Sequence, residues 1–202
     1  MHVDEERLQT RCRRSVSVGC TLWHKDVDVS SGGCATGGVN VEQVWRPDLA
    51  TLCWEAMPAL MEARSDHACC AVRNGQVVFG GIPPEGAVIG SVEMLAKGEG
   101  VFGVFTGQLS LTCGGIAGAV AIVLDEIDSA AGQVLLLKGH GADIESVSTV
   151  YMVDVATGVC TPQPNILRER CEFTAMQLPD GRVVCAGVPV SKNCYKNRYC
   201  RP

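Results

Sequence analysis

Apolar positions along this chain come in short runs broken by turn residues, and few stretches carry the longer spacing of a helix. Ala68–Val72 is one such run. Asn74-Gly75, a strong hairpin signal, follows it, and residues 76–79 form a second run that ends on Gly80-Gly81. A third run at 92–95 comes after a loop containing Pro83-Pro84. Elsewhere the third strand of a unit is expected at 41–45 and 148–153, followed by turns at 48–52 and 154–158. Short fourth strands are expected at Trp54 and Cys160. Short strands with frequent turns predict an all-β chain built of four-stranded antiparallel units.

The units repeat. When the chain is slid on itself by 106 positions, residues 45–81 meet 151–187 without a gap. Asp48 falls on Asp154, Thr51 on Thr157, Pro58 on Pro164, Arg64 on Arg170, Gly75 on Gly181 and Gly81 on Gly187, and Trp45 meets Tyr151. Gly33 falls on Gly139 at the same offset. The offset holds two units of about 53 residues, a period found in kelch blades.

The residues that carry this pattern resemble a kelch repeat. Gly32-Gly33 and Gly80-Gly81 match the family's glycine pair, Trp54 its tryptophan, and Arg64 and Arg170 the arginine that opens the next blade. The later units keep one glycine of each pair, in Lys138-Gly139 and Ala186-Gly187, and Cys160 replaces the second tryptophan. The stretch 97–118 keeps almost none of the pattern and is expected to be a distorted or loosely ordered blade with exposed Phe102 and Phe105. The resemblance implies a partial kelch-type β-propeller of about four blades of four antiparallel strands. The blades would span about 12–57, 58–108, 109–163 and an incomplete 164–202, after a tail at 1–11. It also implies a non-catalytic scaffold for protein–protein interaction. The alternative is an enzyme of the galactose oxidase-like or sialic-acid epimerase type, since those also use this architecture.

Composition narrows the partners. Hydrophobic residues make up 47% and charged residues 19%, enough to build a core. Net charge is −5 and no basic, aromatic stripe appears, so nucleic acid is not an expected partner. The longest apolar run, about 114–124, is too short for a membrane helix, which takes about 20 residues. The polar first residues do not resemble a signal peptide, so a cytoplasmic location is expected, with the twelve cysteines staying thiols.

Candidate chemistry is sparse. Gly98-Glu-Gly-Val-Phe-Gly103 fits a dinucleotide-loop spacing, but the residues after it are poor helix formers, so the expectation is a glycine-rich loop and no cofactor. Asp66 and His67 beside Arg64 offer acid/base groups, and His140 with Asp143 and Glu145 offers ligand types without the spacing of a known metal site. No metal is expected. Contact surfaces are expected instead on the loops 82–91, which carries Glu85, and 140–145, and at the strand entries Arg64 and Arg170. Each arginine either bonds loop carbonyls or touches a ligand. The end unit, with Cys185, Val188 and Val190 uncovered, is expected to self-associate or join a partner chain.

Overall fold

The computed structural model describes residues 20–24, 27–35, 38–48, 50–51, 53–72, 75–97, 102–124, 133–141 and 147–189. The expected tail at 1–11, the loop residues Asp143 and Glu145, and Val190 lie outside them. The described residues are all-β, with no helix and so no helix long and apolar enough to cross a membrane. Three four-stranded antiparallel sheets follow one another, each strand paired with its neighbour in sequence. The first holds β1 (Cys20–His24), β2 (Val27–Ser31), β3 (Val44–Asp48) and β4 (Cys53–Met57). The second holds β5 (Ala68–Val72), β6 (Gly75–Gly81), β7 (Ile89–Lys97) and β8 (Phe102–Ser110). The third holds β9 (Val120–Val123), β10 (Gln133–Leu137), β11 (Val150–Asp154) and β12 (Cys160–Gln163). A two-stranded sheet, β13 (Arg170–Gln177) with β14 (Val183–Pro189), ends the described chain.

Alternation along each strand divides its side chains between two faces, and the sheets stack in chain order. Val44 of the first sheet packs with Cys69, Val78 and Leu95 of the second. The other face of the second sheet, with Ala68, Cys70, Val77 and Phe79, packs with Val134, Leu136 and Val153 of the third. The far face of the third sheet, with Ile122, Leu137 and Val150, meets Phe173, Ala175 and Cys185 of the last.

The 106-residue repeat is geometric as well as textual. β3 and β11 are five-residue strands at that offset. Each ends in an aspartate that caps the following turn: Ala50 N–H donates to Asp48 Oδ1 at 2.9 Å, and Ala156 N–H to Asp154 Oδ1 at 2.8 Å. Fixed backbone bonds of this kind make Asp a turn former rather than a chemical group here. One equivalence needs correction. In β5–β6, Val72 faces Gly75 across the hairpin; in β13–β14, Gln177 faces Val183, and Leu178 N–H donates to the Arg182 carbonyl. The second hairpin is therefore one residue longer, with Gly181 at φ 82° serving the left-handed position of a three-residue loop. Past that loop the offset becomes 107, and Gly187, facing Phe173, stands where Gly80 stands rather than Gly81.

One expectation holds in part and another changes. The irregular stretch 97–118 includes a nine-residue strand, β8, so the sheet has its fourth strand, but its pairing along β7 is distorted by two register shifts, at Val92/Glu93 and Leu95/Lys97. Val, Phe and Thr suit a pleated strand whether or not family landmarks are present. Side-chain exposure of Phe102 and Phe105 lies outside the described residues. Cys69, buried in β5, is disulfide-bonded, so the expectation that all cysteines stay thiols fails there. Cys34, Cys53, Cys70, Cys113, Cys160 and Cys185 are free thiols.

Candidate functional site

The segment entering β5 gathers most of the candidate chemistry. Arg64 is fully buried. Its Nη2 pairs with Glu93 Oε1 on β7 and reaches Glu62 Oε2 at 3.1 Å, while Nη1 donates to the carbonyls of Gly80 at 2.8 Å and Ser91 at 3.4 Å. The second Glu93 oxygen accepts from Met61 N–H at 2.7 Å. A buried ion pair is tolerable only when its remaining donors and acceptors are engaged, and here they are. The guanidinium is wholly occupied by its own sheet and by Glu62 of the segment that enters it, whose carbonyl accepts from Arg64 Nε at 3.3 Å.

The backbone of the same segment ties three sheets together. Gly33 N–H donates to the Arg64 carbonyl at 2.8 Å from the first sheet, and Gly118 N–H to the Asp66 carbonyl at 2.7 Å from the entry to β9. Asp66 takes φ 52°, the one positive value among described non-glycine residues. Such strain, of order 1–3 kcal/mol, persists where surroundings over-determine it, and the bonds to Gly118 and within the Ser65–Ile82 bridge supply that. The glycine pairs owe their identity to the same crowding. A Cβ on Gly32, at φ 55°, would sit 2.7 Å from the Arg64 carbonyl and 2.8 Å from His67 Cε1; one on Gly80, at φ 61°, would fall on Ile116.

His67 is buried and shares a 3.0 Å hydrogen bond with Ser31 Oγ, itself fully buried. Burial first, and then the Arg64 charge, push its pKa from 6.5 down to about 3, so the imidazole stays neutral at physiological pH. Serine beside histidine is a nucleophile–base pairing in form. Here both groups face the seam between two sheets, and the bond joins those sheets. The thiols are equally quiet. Burial pushes Cys70 up to about 12, and burial with a hydrogen bond to Cys160 pushes Cys113 up to about 12, far from the thiolate that attacks or binds metal.

The predicted residues thus part company. Arg64, Asp66 and His67 come together, with the Arg64 and His67 side chains inside rather than on a contact surface. Glu85 is exposed on the turn closed by Gly86 N–H to the Pro83 carbonyl at 2.9 Å. His140, expected on a loop, is 1% exposed and bridged through its backbone to Ala117. Asp143 and Glu145 lie outside the described residues, so no triad with His140 is described. Arg170, half-buried, donates to the Gly187 carbonyl at 2.9 Å, the counterpart of the Arg64–Gly80 bond. Among the described residues no group of three or more His, Cys, Asp or Glu is placed to hold a metal.

Sequence reasoning missed Glu93, Glu62 and Ser31. Glu93 had a signal: one carboxylate in the apolar run 92–95 must find a buried cation or disrupt its strand. Uncovered faces at the ends of the stack were expected, but not the side chains that form them. On the last sheet, Thr174, Met176, Val184 and Ala186 share one face through the cross-strand pairs Thr174↔Ala186 and Met176↔Val184, and all four are exposed, Met176 by 62% and Val184 by 45%. Their counterparts Ala68, Cys70, Val77 and Phe79 are each at most 3% exposed. On the first sheet, Trp45 is 40% exposed.

No family model matches the chain, and no curated protein matches it significantly.

Proposed function

We propose that the chain is a segment of a kelch-type β-propeller and works as a protein–protein interaction platform. The observation that carries this reading is the uncovered face of β13–β14: apolar side chains stand exposed at positions whose counterparts one repeat earlier are core. An apolar sheet face rimmed by polar loops marks an association surface. The four-stranded meanders, the 106-residue offset and the matching Arg64–Gly80 and Arg170–Gly187 bonds support the family reading. The occupied state of Arg64 and the neutral, buried state of His67 favour scaffold over turnover.

Affinity capture from cells with the wild-type chain, and in parallel with Met176→Glu/Val184→Glu and Trp45→Glu variants, tests it. A partner enriched on wild type, lost on a face variant and reconstituted from purified components is expected. Equal recovery on all baits would overturn the reading. So would a turnover abolished by Asp66→Asn or His67→Phe in chains that still fold.

A further inference from the structure

The two outward faces correspond to the two halves of a contact that already exists within the chain. Inside, Cys70, Val77 and Phe79 of the second sheet pack with Tyr151, Val153 and Cys160 of the third. The last sheet repeats the first half of that contact, because Met176, Val184 and Ala186 occupy the register positions of Cys70, Val77 and Phe79. The first sheet repeats the second half. Trp45, Pro47 and Trp54 stand 106 positions before Tyr151, Val153 and Cys160. The pairs Trp45↔Ala56 and Pro47↔Trp54 put them on one face. That face points away from the second sheet, since Val44 on the opposite side is buried against it, as Val150 is against the last sheet.

We propose that a second copy of this chain docks head to tail, laying its Trp45–Pro47–Trp54 face on the Met176–Val184 face of the first copy. This rests on the interaction-platform reading and names the partner. The internal contact between the second and third sheets gives the geometry: two sheets packed face to face through an aromatic and β-branched layer, about 10 Å apart. The chemistry is suited to an interface core, where tryptophan and methionine are enriched and charge is depleted. Substituting tryptophans for Tyr151 and Cys160 at these positions enlarges the aromatic area, and methionine sulfur adds contacts with ring edges. The contact is heterologous, so a pair closes into a ring when two such contacts form at once.

The test uses the full chain and two variants, Trp45→Glu/Trp54→Glu for the head and Met176→Glu/Val184→Glu for the tail. Sedimentation across a concentration series reads mass, and circular dichroism checks that each variant keeps its β signal. Wild type is expected to associate with rising concentration. Each variant alone should weaken association by about thirtyfold or more, as loss of central apolar anchors does. A mixture of the two variants should recover a two-chain species, because each retains the face that the other needs. A wild-type chain that stays monomeric across the series overturns the proposal while leaving the platform reading open to another partner. Association that survives the tail variant alone, or a mixture without recovery, overturns the head-to-tail arrangement in favour of like-on-like contact.

Discussion

The second and last sheets carry the same hairpin in two environments. In β5–β6, Cys70 and Val77 are covered by the third sheet; in β13–β14, Met176 and Val184 face outward. The covered hairpin packs Cys70, Val77 and Phe79 against the third sheet and lies beside a buried ion pair. The uncovered hairpin keeps the arginine and its glycine carbonyl but drops the carboxylate partner: the salt bridges of the described residues give Arg64 two glutamates and Arg170 none. The Arg64–Gly80 bond thus recurs as Arg170–Gly187 at the 106-residue offset, and the buried carboxylate that pairs with Arg64 comes from β7, the strand beside β6.

The largest contrast should come from the arginines. Arg64→Met leaves Glu93 buried without its cation and is expected to cost about 3–5 kcal/mol. Arg170→Met removes one partly solvated bond and should cost about 1 kcal/mol or less. Urea unfolding of both variants measures the gap. Adding Glu93→Gln to Arg64→Met should recover part of the loss, since the uncompensated charge is then gone. Similar losses for the two arginines would show that the Glu93 ion pair adds no constraint beyond the arginine–carbonyl bond that both repeats share.

Next is the apolar layer itself. Val77→Ala opens space in a closed core and is expected to destabilise by about 2 kcal/mol. Val184→Ala, at the matching register position, should fall within about 0.5 kcal/mol for the dilute monomer. If Val184→Ala costs as much as Val77→Ala at low concentration, that face is covered in solution. If the difference between them shrinks only as concentration rises, the cover is another chain.

Glycine separates the same two places. Gly80→Ala would drive a methyl group into Ile116 at a left-handed backbone position, and a loss of about 1–3 kcal/mol is expected. Gly187, exposed and with a φ outside the left-handed region, should accept alanine with a change of about 0.5 kcal/mol. Thermal melts of the two variants settle which glycine carries the constraint.

Much of this was legible beforehand, because it lies in local pattern. Short alternating runs, Asp48 and Asp154 at turn starts, and the 106-residue offset predict strands and turns that the fold contains. What the pattern could not give was the extra residue of the second hairpin. Gly181 aligns with Gly75 in sequence, but it lies in the turn while Gly75 opens β6. A one-residue shift in loop length moves every later position along the ladder. The candidate site was legible as residues and not as roles. Arg64, Asp66 and His67 are close in sequence, yet the buried state of Arg64 and His67 depends on Glu93 and Ser31, which arrive from other strands. The exposed face was misjudged in detail for the same reason. Cys185 was expected uncovered, but its side of the strand meets the third sheet, and the neighbouring position, Val184, faces out.

The smallest effect probes one position of the repeat for which the two sheets chose different chemistry. His67 aligns with Phe173, and both are buried at the start of the hairpin. The folded pKa of His67 is lowered to about 3, while the unfolded chain titrates near 6.5. Between those values the unfolded state binds more protons, so stability is fully present above about pH 7 and falls as pH drops through 6.5 toward 3. The loss attributable to this one group should be about 1 kcal/mol by pH 5.5 and should steepen to about 1.4 kcal/mol per pH unit below that. His67→Phe copies the last sheet's choice. It gives up the bond to Ser31 at every pH, so the informative quantity is the slope of stability against pH between 7 and 5, which should flatten by close to one proton relative to wild type. Phe173→His is the reverse experiment and should add such a slope to the last hairpin. If His67→Phe leaves the slope unchanged, the imidazole is protonated in the folded chain and the seam between the first two sheets admits water.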